Sequence, residues 1–175
     1  MVKSTFHNLS DEKKKRVSEA LLREFSEYPL AQAQVARIVK DAQIARGAFY
    51  KYFDDLEDAY TYIYGQAMQS IHLGVGKMMH KFDEQAFYQM TVSFIEETSN
   101  SKYYELIKLH LSCNDQLIHS NRMEKSRKTL PLNAQIWSAM ILSHEVVNLV
   151  LFDPENKEKY LERYKTSLNL LKSGD

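Results

Sequence analysis

Residues 35–53 read VARIVKDAQIARGAFYKYF, and two helical patterns meet inside them. Val35, Ile38 and Val39 recur at the spacing of a helix that buries one face. Phe49 and Phe53 recur four apart in a second stretch, 45–53. Only Ala42, Gln43 and Ile44 separate the two. Short helices joined by so tight a turn cross steeply, as in a helix-turn-helix. In that motif the second helix lies in the major groove of DNA, its first residues at the base edges. Gly47 and Ala48 would let the backbone come close to the bases. Arg46 can pair with a guanine edge or hold a phosphate. Tyr50 offers a ring to a thymine methyl and a hydroxyl to a phosphate, and Lys51 is a point charge near the backbone. The residues expected at DNA are Gln34, Ala45, Arg46, Gly47, Ala48, Tyr50, Lys51 and Tyr52, while Phe49 and Phe53 face the core.

Upstream, LSDEKKKRVSEALLREFSEY (9–28) predicts a first helix. Ser10 is placed to cap it, Asp11 and Glu12 suit its positive end, and Pro29 stops it. Val17, Leu21, Leu22 and Phe25 mark its apolar face. The second helix is expected at 32–41 and the third at 45–53. A long fourth helix, capped by Asp54 or Asp55, should run from 56 to about 80, with Gly74 and Gly76 loosening its far end. Further helices are expected at 84–98, 102–119, 131–152 and 155–172, with Pro131 and Pro154 near helix starts and a polar loop at 119–129. The chain therefore reads as all-α: a three-helix head, residues 1–55, joined through the fourth helix to a helical body, residues 56–175.

Composition agrees with that class. Of 175 residues, 44% are hydrophobic, enough for a sizeable core, and five Gly and three Pro are few for a turn-rich β protein. Lys and Arg balance Asp and Glu at 23 each, but residues 1–53 carry ten basic and six acidic groups, a surplus of four. A basic head on an acidic body suggests that only the head meets a polyanion. No stretch approaches 18 uninterrupted apolar residues, the N-terminus shows no signal peptide, and Cys113 is the lone cysteine, which fits a reducing cytoplasm.

The same stretch resembles the DNA-binding signature of TetR-type transcriptional regulators. The closing positions of that signature fall on Ala45, Arg46, Gly47, Ala48, Phe49, Tyr50 and Phe53, and the likeness spans roughly 9–62. The resemblance implies an all-helical homodimer whose two heads bind a palindromic double-stranded operator as a repressor. It further implies a C-terminal domain that takes a small-molecule effector and dimerises through its last two helices. Several positions depart from the pattern: Ala33 and Gln34 where Thr is usual, Gln43 where Gly is frequent, Ala45 where Ser or Thr often caps, and Leu56 where Lys often meets a phosphate. Each removes a contact or a cap.

The body carries no motif of its own. AQIWSAMILSHEVVNLVLF (134–152) is apolar over a wide arc, including Ile136, Trp137, Met140, Ile141, Val146, Val147 and Val150. Pairing 131–152 and 155–172 with a second copy as a four-helix bundle would cover it. Met68, Met90, Phe94, Tyr103, Ile107, His110, Trp137 and Met140 could line a site for an apolar or flat cationic effector. No two of the six histidines share an i, i+4 spacing, so no metal, cofactor or catalytic residue is expected, and an enzyme is disfavoured. The alternative function is a helical interaction protein of the same fold that answers to a protein partner.

Overall fold

The computed structural model describes residues 2–71, 82–114 and 132–172. The far end of the fourth helix with Gly74 and Gly76, the loop at 119–129 and Pro131 lie outside them. The described residues are helical, with no strand among them. Two compact units divide the chain: Met1–Ser70 with Lys102–Ile118, and Ile71–Ser101 with His119–Asp175.

The first unit opens with α1 (Ser4–His7) and α2 (Asp11–Glu27). Ser10 holds the extended cap conformation, but its side chain makes no capping bond. Tyr28 and Pro29 stop α2, and Leu30–Gln32 forms a single 3-10 turn. α3 (Val35–Asp41) therefore starts three residues later than its apolar pattern suggests. α4 (Arg46–Tyr52) and α5 (Leu56–Ile71) follow. Asp55 is the cap of α5, its Oδ1 accepting from the Asp58 N–H at 2.8 Å. α7 (Tyr104–Leu109) returns to this unit and passes into a π turn, His110–Asn114. Val17, Leu21, Phe25, Ile38, Phe49, Phe53, Ile63 and Leu106 fill the interior. Phe25 stands edge-on to Tyr60, ring centroids 5.1 Å apart.

The second unit packs α6 (Glu84–Ser99), α8 (Ala134–Phe152) and α9 (Lys157–Lys172). Asp83 and Asn133 cap α6 and α8 with side-chain bonds of 2.8 Å to Ala86 and Ile136 N–H groups. One buried tyrosine ties the three helices. The Tyr164 hydroxyl on α9 lies 3.0 Å from Thr91 Oγ1 on α6 and 2.6 Å from Ser143 Oγ on α8. Burial raises the Tyr164 pKa above the ordinary phenol value, and the two hydroxyl partners pull the other way. α8 has the length and composition of a membrane-crossing helix, with a mean hydropathy of 1.3 over its most apolar window. It is interrupted by Ser138, Ser143, His144, Glu145 and Asn148.

Candidate nucleic-acid interface

The turn between α3 and α4 is a Schellman motif. Ile44 N–H donates to Val39 C=O at 3.0 Å and Gln43 N–H to Lys40 C=O at 3.3 Å. That bonding needs a left-handed residue after the cap, and Gln43 takes the conformation itself, with φ 53°. It is the one non-glycine residue with positive φ among the described residues. The absence of glycine is thus met by local strain and not by a different turn.

The start of α3 solves a second absence. Gln34 and Ala45 stand at the caps of α3 and α4 without side-chain capping bonds. For α3 the acceptor comes from outside: Glu24 Oε1 on α2 takes the Gln34 N–H at 2.7 Å. The same buried carboxylate binds Arg37, whose Nη2 lies 2.6 Å from Oε1 and whose Nε lies 2.9 Å from Oε2. Arg37 also donates to Gln32 C=O at 2.9 Å and sits 3.8 Å from the centroid of the Tyr28 ring. Its bond to Glu24 raises the already high Arg37 pKa. Glu24, Arg37, Tyr28 and the 3-10 turn thereby fix α3 against α2. Glu24 falls in the register of Val17, Ala20, Leu21 and Phe25, and a carboxylate on that apolar face is the signal by which the sequence announces it.

α4 separates its residues by side. Phe49 is fully buried, and Phe53 just beyond the helix is too. Tyr52, expected at DNA, is only 3% exposed: it stands three positions after Phe49, and its ring lies 5.7 Å from Phe6. It packs as a core residue, and that burial leaves its side chain little surface to offer DNA. Arg46, Gly47, Tyr50 and Lys51 are exposed, and Ala48 is half-buried. Neither Arg46 nor Lys51 has an ion-pair partner among the described residues. A methyl group built on Gly47 would meet nothing within 4 Å, and no glycine among the described residues has positive φ. Glycine inside a helix costs about 1 kcal/mol relative to alanine. Neither conformation nor internal packing explains it, so the bare backbone faces outward.

The N-terminal segment, which sequence periodicity missed, seats the end of this helix. Phe6 is buried against Tyr52, Phe53 and Tyr62. Lys3 N–H donates to Tyr52 C=O at 3.0 Å, and Lys3 Nζ to Tyr50 C=O at 2.9 Å. A cation at a helix C-terminus complements the dipole. Lys3 Nζ also pairs with Asp54 at 2.8 Å, and this bond holds the Asp54 carboxyl below the usual aspartate pKa. A lone Phe among polar residues was the available sign of this latch.

One edge of the face is not basic. An open groove of about 480 Å³ runs beside Tyr50, walled by Leu30, Val35 and Leu56 and bounded by Asp55 and Glu57. Leu56 is half-buried there, and the two carboxylates would repel a phosphate.

Of the residues expected around an effector, Met68, Tyr103, Ile107 and His110 belong to the first unit, and Met90, Phe94, Trp137 and Met140 to the second. Tyr103, Ile107 and His110 are buried, and the Tyr60 hydroxyl is 2.9 Å from His110 Nδ1. Trp137 is 49% exposed, turned away from the interior of its unit.

Residues 18–58 match the family of bacterial regulatory proteins, tetR family. No protein of curated function matches the chain. Among solved structures, a TetR family transcriptional regulator from Chloroflexus aurantiacus is similar, with a TM-score of 0.59 at 19% identity, over 99% of this chain and 98% of that one. The Streptomyces coelicolor protein SCO4942 is similar with a TM-score of 0.53 at 16% identity, over 91% of this chain and 97% of that one. At such identities the likeness is one of fold.

Proposed function

We propose that this chain, whose residues 18–58 match the family of bacterial regulatory proteins, tetR family, is a homodimeric DNA-binding repressor of the cytoplasm. It binds a palindromic operator through α4, and a small molecule held by the body releases it. The observation that carries the DNA contact is the outward face of α4: Arg46 and Lys51 exposed, with open space over Gly47. A basic, small-residue surface of this kind admits base edges and phosphates together.

The dimer is supported by α8. Only 33% of its most apolar window is buried within the chain. Trp137 and Ile141, four apart, are 49% and 53% exposed, and Leu170 on α9 is 71% exposed. A second copy covering this stripe would bury it, and a palindromic operator asks two heads to meet half-sites about 34 Å apart, or a multiple of that. α5 follows the recognition helix directly, and on this reading it carries the effector's signal to the head.

The test is a mobility-shift assay at low salt on the DNA upstream of the chain's own gene. Wild type should retard a fragment, and Arg46→Ala should weaken the shift by about tenfold or more, since a bidentate base contact is worth roughly 1–3 kcal/mol. Absence of a retarded fragment at low salt rejects the reading. Sedimentation of Trp137→Glu/Ile141→Glu should give a monomer, and a variant that stays dimeric places the interface elsewhere.

A further inference from the structure

A second concave surface in the first unit has no part in the face described above. A half-enclosed cleft of about 280 Å³ opens between α2, α5 and the residues that lead into α7. That is room for about nine waters at their liquid volume. Lys14, Lys15 and Lys102 all line it. Lys15 and Lys102 have no ion-pair partner among the described residues, and Lys14 has only the exposed Asp11 carboxylate at 3.6 Å. Glu19 is the one acid in the wall, and it also attracts Arg23. Three cations against one carboxylate leave the cleft with a surplus of two positive charges.

The floor is polar and half organised. Gln66 Nε2 donates to the Tyr62 hydroxyl at 2.8 Å, and that hydroxyl lies 3.2 Å from Ser18 Oγ. Whichever of the Tyr62 and Ser18 hydroxyls donates to the other, the acceptor keeps its own proton to give. A hydroxyl pair that keeps an unspent donor, in a cleft lined by three lysines, matches an acceptor-rich anion. From these features we infer that the cleft binds a small, multiply charged anion bearing phosphate or carboxylate groups. The site is separate from the apolar effector set, with which it shares only Tyr103.

Tyr62 connects the cleft to the recognition helix. Its ring is 5.0 Å from Phe6 and 5.8 Å from Phe53, the residue that caps α4. An anion drawn to the hydroxyl therefore acts on the aromatic cluster that seats α4.

The probe is inorganic pyrophosphate, titrated calorimetrically into the full chain without metal or DNA, at ionic strength held constant with sodium chloride. Wild type should bind saturably, one per chain. Lys15→Gln/Lys102→Gln should weaken binding by at least about tenfold per lysine, the worth of a charged hydrogen bond. Tyr62→Phe keeps the ring and its packing, and should weaken binding several-fold in a chain that still unfolds cooperatively. No saturable binding by wild type, or binding equal in both variants, overturns the site. The remaining source of phosphate is a DNA backbone. If pyrophosphate does not bind while the lysine pair lowers the salt slope of DNA binding by about two, the cations serve the duplex and the proposal fails. Because binding is read without DNA, failure of the operator assay leaves it standing.

Discussion

Glu24 and Arg37 form an ion pair in which the carboxylate is buried, the guanidinium lies on the Tyr28 ring, and the same carboxylate closes the start of α3. Two elements of the motif are thus fastened by one acidic side chain. Removing it with Glu24→Ala strands the Gln34 N–H and the guanidinium together, and the loss should be about 2 kcal/mol for an orphaned buried group. Glu24→Gln retains an oxygen for the N–H and should cost less. Urea unfolding of both variants measures this, and equal stability would show the pair to be dispensable.

Gln43 offers a gain. A side chain held in the left-handed region costs about 1–2 kcal/mol, and glycine removes that at an entropic cost of about 0.5–1 kcal/mol. Gln43→Gly should therefore raise stability by several tenths of a kcal/mol to about 1 kcal/mol, while Gln43→Val should lower it. Thermal unfolding of the three proteins decides; a destabilised Gly variant would mean that the Gln43 side chain itself contributes.

Leu56 stands in the groove between the carboxylates of Asp55 and Glu57, beside Tyr50. Replacing it by lysine puts a cation at the edge of the DNA-facing surface. Leu56→Lys should raise operator affinity and steepen its logarithmic salt dependence by about one. An unchanged slope would show that this edge stays clear of the phosphates.

The bond between Lys3 and Asp54 makes the seat of α4 sensitive to acid. Lys3 depresses the Asp54 pKa from its ordinary 3.8, so the folded state binds that proton less readily than the unfolded chain. Its stabilisation is complete above about pH 4 and disappears as pH falls through the lower folded value. Lys3→Gln should flatten the stability profile in that acidic window and leave its shape near neutrality unchanged. Melting temperatures of both proteins from pH 2 to 7 provide the comparison.

Much of this was legible before any coordinates. The apolar register of Val17, Leu21 and Phe25 gave α2, and Phe49 with Phe53 gave the inward side of α4. The three residues between Asp41 and Ala45 gave the turn. What escaped was local or long-range in ways that periodicity does not register. A four-residue helix, Ser4–His7, is too short to show a period. The 3-10 turn at Leu30–Gln32 delayed α3, because a helical pattern does not reveal where the first hydrogen bond forms. Tyr52 was expected at DNA with Tyr50, yet its ring packs on Phe6, a residue 46 positions earlier in the chain. The cap supplied to α3 by Glu24 crosses ten positions, and the bonds made by Tyr164 cross 73 and 21. Such partners are set by tertiary packing alone.

On the seven residues of α4, the side chains that anchor and the side chains that face outward are different residues: Phe49 and Tyr52 against Arg46, Tyr50 and Lys51. Substitutions in the outer group leave the interior volume untouched and so evade the usual trade between novelty and foldability. A descendant gene could acquire a new vocabulary of target sites through two or three codon changes, without first accumulating stabilising ones elsewhere.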